Sequence, residues 1–307
     1  MANVSHDATS KLYSPVVDLI NRCLEQDQGN SYRAHLKELI MTQPDIYQQV
    51  DIGFRSHMGA SMIWRKCRRD IWYGFRWVKE PNFGGRMIRL FNRGHMEEPR
   101  FIALLRQAGM QTWSANADGT QFKFSNCNGH YGGSLDCVVK GVPGFEDIPM
   151  LSEFKTHSLK SYEKLVTLGV RAAKPEHWTQ MNQYMGHYSL TKALYLAINK
   201  NDDSLYAEIV DFDQEEFDFD IQLAQTISHS TKPPVRINKD RNYYLCRYCD
   251  HNAICHMNAP VKPTCRTCKF AIISEGGKWL CSNQGNLELS KEMQYNGCNQ
   301  RIALLEI

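Results

Sequence analysis

Cysteine spacing constrains this chain more than any other feature. Seven of its eleven cysteines lie between Cys246 and Cys298, and the other four, Cys23, Cys67, Cys127 and Cys137, are scattered ahead of them. Eleven in 307 residues is well below the roughly 8–10% that marks a disulfide scaffold. The opening residues MANVSHDATSKLYS hold no apolar run, so no secretory signal is expected. No stretch reaches the ~18 consecutive apolar residues of a membrane span, so no membrane partner is expected. A reducing, cytoplasmic setting follows, in which clustered thiols read as metal ligands rather than disulfides.

The clustered thiols fall into two sets. LCRYCDHNAIC supplies Cys246, Cys249 and Cys255, one ligand short of a tetrathiolate site. Cys67, in the basic stretch WRKCRRD, is the candidate for the fourth. Cys265, Cys268, Cys281 and Cys298 form the second set, a C-x2-C pair followed by two more cysteines at moderate spacing. That spacing suits a closed, tetrahedral, structural Zn²⁺ site. Cys23, Cys127 and Cys137 are expected to be buried small apolar residues, and His251 and His256 solvated loop residues.

Net charge is only +3, but charge is unevenly spread. From Arg65 to Arg100 there are ten Lys/Arg against four Asp/Glu, interleaved with Trp64, Trp72, Tyr73, Phe75, Trp77, Phe83 and Phe91. Cations that neutralise phosphates, beside rings that stack on bases, suit a nucleic-acid surface. The plainer reading is a solvated face over buried aromatics.

Periodicity predicts two or three helices in 13–52 and further helices over 60–78 and 86–108. Short strands follow at 110–116, 121–127, 132–140 and 148–156, divided by Asp118-Gly119, Asn128-Gly129 and Pro143-Gly144. A helix is expected over 177–199, a strand over 204–211 and a helix over 214–229. This order points to an α/β or α+β core with cysteine-bearing extensions.

Within the strands, GGSLDCVVKGVPGFEDIPMLSEFKT places charges among apolar residues. Alternate strand residues share a face, so Glu153 and Lys155 point the same way, and a hairpin can bring Asp136 beside them. Paired carboxylates form a hard-oxygen site for Mg²⁺ or Mn²⁺, and a lysine alongside offsets their repulsion. Gln180 and Tyr184 share a helix face four residues apart, as do His95 and Glu98 three apart. An E-x-K triplet by itself is commonplace; charges embedded in apolar strands usually need a reason.

The series Gly94-His95, Glu98-Pro99, Asp136, Glu153-Phe154-Lys155 and Gln180-x-x-x-Tyr184 resembles the PD-(D/E)XK nucleases, and among them the RecB-type branch that includes lambda-type phage exonucleases. The resemblance spans about residues 59–260. It implies a restriction-endonuclease-like mixed sheet flanked by helices. It also implies a metal-dependent DNA nuclease, of exonuclease type, working in recombination, repair or phage genome processing, hence in a host cytoplasm if phage-encoded. Asp136, Glu153 and the main-chain carbonyl of Phe154 would hold the metal, Lys155 would serve the attacking water, and Gln180 and Tyr184 would hold the strand. Leu135 stands where many members have proline, and His95, Glu97 and Glu98 compete for the helix position. Cys67 with Cys246, Cys249 and Cys255 resembles the split ligand set of iron–sulfur nucleases of the AddB and CRISPR-associated adaptation type. That likeness implies a 4Fe–4S cluster, with zinc as the alternative. The expected organisation is an N-terminal helical segment (1–58), a nuclease domain (59–260) and a zinc-binding tail (261–307). The expected partner is single- or double-stranded DNA, with any helicase or recombination partner in a separate chain. The competing class is a non-enzymatic, metal-stabilised nucleic-acid-binding protein.

Overall fold

The computed structural model describes residues 13–42 and 54–304. The helical reading of 43–52 lies outside them. Two compact units interleave along the chain. Unit 1 gathers Met1–Asp45, Phe83–Lys123 and Ser134–Gln214, and unit 2 gathers Ile46–Asn82, Phe124–Gly133 and Glu215–Ile307.

Unit 1 is the mixed sheet with flanking helices that the strand–helix order predicted. Helices α1 (Ser14–Asp27) and α2 (Asn30–Thr42) are joined at a tight corner. There the Asp27 carboxylate accepts from the amides of Gly29 and Ser31, at 2.9 and 2.8 Å, and so occupies donors at the start of α2. Helix α3 (Gly85–Gln107) buries Phe101, Ile102 and Leu105. Five strands then pair in chain order: β1 (Gln111–Trp113), β2 (Cys137–Lys140), β3 (Met150–His157), β4 (Lys192–Asn199) and β5 (Leu205–Asp211). Every neighbouring pair is antiparallel except β3 and β4. Parallel neighbours need a long connection, supplied here by α4 (Leu159–Ala173) and α5 (Pro175–Tyr188). Near the end of α4, Gly169 turns to φ +71, ψ 170, a conformation reserved for glycine. The turn frees the Val170 amide to donate to the buried Glu208 carboxylate at 2.7 Å.

The helix expected over 177–199 is in fact α5 followed by β4. Ser189 takes the left-handed conformation (φ 54) and stops α5. KALYLAIN then runs between β3 and β5, buried on both faces. A doubly buried strand reads as an apolar run, which periodicity cannot tell from a buried helix. The helix expected over 60–78 is also shorter, a 3-10 turn at Ala60–Met62 and a helix at Arg68–Phe75.

Unit 2 is built around aromatic rings and two buried arginines. The Arg266 guanidinium lies 3.8 Å from the Trp77 ring centre and 4.6 Å from that of Trp279, and Arg76 lies 4.9 Å from Trp279. Arg266 donates to Gln294 Oε1 (2.8 Å) and to the carbonyls of Phe75 (3.0 Å) and Ser56 (2.9 Å). Trp77 holds φ +57, unusual for a bulky residue. Stacking on Phe54 at 4.8 Å and an indole hydrogen bond to the Arg55 carbonyl at 2.9 Å fix it there. Beyond the helix Gln214–His229, as expected, unit 2 carries a three-stranded antiparallel sheet of Ala271–Ile273, Trp279–Cys281 and Leu287–Glu288. At Gly129, a Cβ atom would stand 2.2 Å from the Gly277 amide nitrogen, so only glycine lets these two turns touch.

The basic, aromatic stretch 65–100 needs correcting. Trp72, Tyr73, Phe75 and Trp77 are buried and cannot stack on bases; Trp64, Phe83 and Phe91 remain exposed. No helix among the described residues is long and apolar enough to cross a membrane.

Candidate active site and cysteine clusters

Strand β3 sits inside the sheet, and its alternation sends Glu153, Lys155 and His157 to one side and Phe154 to the other. Phe154 stacks on Phe101 of α3 with ring centres 5.0 Å apart, anchoring the strand in the core. Asp136 lies in the bend just before β2 rather than within a strand. Its Oδ2 accepts from the Phe154 amide at 3.1 Å, which fixes the carboxylate against β3. Glu153 is fully buried; its Oε1 meets the Lys155 ammonium, while its Oε2 has no hydrogen-bond partner among the described residues.

Glu98, on α3, joins this group. Burial and then the Asp136 charge push its carboxyl up to about 8, with Lys155 pulling the other way and Glu153 adding a smaller push. Burial and Asp136 likewise raise Glu153 above the usual carboxylate range, opposed by Lys155. Lys155 in turn is held protonated despite burial, because Glu153, Asp136 and Glu98 surround it. The other candidates for the helix position face elsewhere. Glu97 pairs with Arg100 at 3.1 Å, and His95 is half exposed and lies 3.5 Å from Glu98. Gln180 donates to the Tyr184 hydroxyl at 2.9 Å, so the two share one face of α5 as their spacing predicts.

A further set went unread in the sequence. The Tyr195 hydroxyl bridges His157 Nε2 and His177 Nδ1, each at 2.8 Å. Tyr195 is the β4 partner of Glu153, and the bridge ties α5 to β3. Burial, with Lys174 and Lys155, lowers His157 to about 4, so it stays neutral. His157 follows Lys155 by two residues and His177 precedes Gln180 by three, which was the available signal.

The oxygen-rich group fits a hard divalent cation on its own terms. An orphaned, buried carboxylate oxygen costs several kcal/mol unless it meets a proton or a cation. The sign of the pH dependence follows. In the magnesium-free protein Glu98 and Glu153 hold protons more tightly folded than unfolded, so stability falls as pH rises through the raised values. The buried histidines act oppositely, but only below the ordinary 6.5, where they resist protonation. The thermal midpoint of magnesium-free protein should therefore drop between pH 6.5 and pH 8, and added Mg²⁺ at pH 8 should restore it. Differential scanning calorimetry at matched ionic strength checks this; a flat profile counts against the arrangement.

Both cysteine sets lie in unit 2. In the first, burial and then the nearby Cys67 and Cys255 disfavour ionisation of Cys246, and burial, Asp70 and Cys67 disfavour that of Cys249. Among the described residues the ligand atoms within 4.8 Å of one another are those of Asp70, Cys249 and His251, and the four thiols do not meet that distance together. His251 is buried rather than solvated, and its Nδ1 contacts Asp70 at 2.7 Å. Burial opposes the Asp70 charge, but His251 and Arg65 overcome it and hold the carboxyl well below its usual range. In the second set, Cys265, Cys268, Cys281 and Cys298 line one cavity with Arg301, and no carboxylate or imidazole lines it. Of the remaining cysteines only Cys137 is buried; Cys23 and Cys127 are half-buried.

No protein-family model and no curated protein sequence matches the chain. Among solved structures, an alkaline exonuclease (LHK-Exo) from Laribacter hongkongensis is similar at 13% identity and a TM-score of 0.40, over 56% of this chain and 86% of its own. LHK-Exo in complex with dAMP gives the same values. The crystal structure of SSO0001 is similar at 15% identity and a TM-score of 0.39, over 74% of this chain and 97% of its own. Likeness at this level is one of outline; the reading that follows rests on side-chain geometry.

Proposed function

We propose that unit 1 is a metal-dependent DNA nuclease, of exonuclease type. The observation that carries the reading is the convergence of Glu98, Asp136 and Glu153 on one lysine, with a buried Glu153 oxygen left over. Asp136, Glu153 and the Phe154 carbonyl would hold Mg²⁺ or Mn²⁺, with Glu98 completing the set and His95 supporting Glu98. A divalent ion there would activate water and offset charge developing on a phosphate. Lys155 would orient the water by donating to it, and Glu153 keeps that ammonium in place. Gln180 and Tyr184 would grip the strand from α5, held in register by the His157–Tyr195–His177 bridge.

In unit 2, Cys67, Cys246, Cys249 and Cys255 would hold a 4Fe–4S cluster, with zinc as the alternative occupant. Soft thiolates suit both, and a link from Cys67 to Cys246 closes a long loop. Cys265, Cys268, Cys281 and Cys298 would hold a structural Zn²⁺, since four thiolates leave no open position.

Incubating anaerobically purified protein with end-labelled linear DNA and with closed circular DNA tests the activity. Mg²⁺ or Mn²⁺ should release mononucleotides from the linear substrate and leave the circle intact. Cutting of the circle would change the reading to an endonuclease. Binding without cleavage of either substrate would favour the metal-stabilised binding protein.

A further inference from the structure

Helix Arg68–Phe75 has Cys67 as its N-cap and Asp70 in its first turn. The Asp70 amide donates to the Cys67 carbonyl at 3.1 Å, so carboxylate and thiol leave the same turn. Asp70 Oδ1 is 2.7 Å from His251 Nδ1 and 3.2 Å from Cys249 Sγ, while Oδ2 accepts from Arg65 at 2.7 Å. Donor atoms of Asp70, Cys249 and His251 thus lie within 4.8 Å of one another, the reach of a single cation. Arg65 and His251 fix the carboxylate before any metal arrives. Among the four thiols of the first set, Cys249 is the one recorded in a hydrogen bond to this carboxylate.

We infer that Asp70 is a further ligand of the first cysteine site, interchangeable with Cys249. Both bind as monoanions, so exchanging Cys249 sulfur for Asp70 oxygen leaves the net charge of the site unchanged. Iron and zinc accept thiolate and carboxylate alike. The exchange needs no reorganisation of the backbone, because the two donor atoms are already in contact. His251 then orients Asp70 through the hydrogen bond it already makes, as outer partners of metal ligands do. Asp240 acts on Cys246 through its charge, but among the described residues no carboxylate is hydrogen-bonded to that thiol.

This rests on the first set holding a metal, and the test separates the two claims. Iron, zinc and acid-labile sulfide per chain are measured on anaerobically purified wild type, Cys249→Ala, Cys246→Ala, Asp70→Asn and Cys249→Ala/Asp70→Asn. Wild type without metal at this site would sink the reading beneath the inference. Given a loaded wild type, Cys249→Ala should keep most of the metal and Asp70→Asn all of it. Cys246→Ala and the double variant should each lose it, by about tenfold or more. Sulfur-to-metal absorbance per metal should also fall in Cys249→Ala, because one thiolate ligand is gone. Metal kept by that variant and lost from the folded double variant is the result that a merely structural Asp70 would not produce. The inference is overturned if Cys249→Ala loses metal as fully as Cys246→Ala, if the double variant keeps what Cys249→Ala keeps, or if absorbance per metal is unchanged.

Discussion

Lys155→Ala and Asp136→Asn should each lower DNA degradation by on the order of 10²–10³-fold or more, with DNA binding largely retained. Lys155 is the cation that Glu98, Asp136 and Glu153 share. Its removal leaves Glu153 buried with both oxygens unpaired. Glu153 then takes up a proton rather than unfolding the sheet, so the fold should persist while the water loses its donor. Asp136→Asn keeps an oxygen to accept from the Phe154 amide and removes only the charge. It is therefore a cleaner test than Asp136→Ala, which also strips that acceptor. Glu98→Gln should fall with Asp136→Asn, whereas His95→Ala should lose far less, because His95 is half exposed and flanks Glu98 from the solvent side of the pair. Rates on end-labelled DNA, with circular dichroism to confirm folding, read these outcomes. A Lys155→Ala or Asp136→Asn variant that degrades DNA at near-normal rate with Mg²⁺ would end the assignment.

Arg266→Ala should destabilise unit 2 by about 3–5 kcal/mol. Arg266 is 1% exposed, and its guanidinium lies between Trp77 and Trp279. Truncation leaves the Phe75 and Ser56 carbonyls and the Gln294 amide oxygen without this donor and opens a cavity between the rings. It also removes the cation that lies 3.8 Å from the Trp77 ring centre. Arg266→Met refills the volume but not the hydrogen bonds, so its loss should be smaller. Trp72, Trp77 and Trp279 report on this region by fluorescence during urea unfolding. A midpoint shift worth less than about 1 kcal/mol would show that the stacked cation is incidental.

What the sequence revealed and concealed follows from the physics of each residue. Glu153 and Lys155 were legible as same-face neighbours because strand alternation is local. Their approach to Asp136 was legible as a hairpin, and β2 and β3 are that hairpin. Glu98 could not be chosen over Glu97 and His95, since rotation of α3 about its axis is set by Phe101 stacking on Phe154, a contact 53 residues away along the chain. Strand β4 was hidden because burial on both faces erases the alternation that marks a strand. The aromatic run 72–77 misled for a different reason. Arginine normally signals surface, but Arg76 and Arg266 are desolvated by rings that offset the cost through cation–π contact and carbonyl acceptors. Asp70 drew no notice and His251 was expected to be solvated, because 181 positions separate the two.

The interleaving of the two units bears on the order in which the chain can mature on a ribosome. All the segments of unit 1 have been made by residue 214, so its sheet can close early. Unit 2 cannot. Ser56 and Phe75 wait for Arg266, 210 and 191 positions later. Contacts this distant pay loop-closure entropy before they return any stabilisation. Through that interval Trp72 lacks its Ser230 acceptor, Trp77 lacks the Arg266 guanidinium and Cys67 lacks its neighbour Cys246. It is then, rather than in the finished molecule, that the chain is most exposed to aggregation and thiol oxidation.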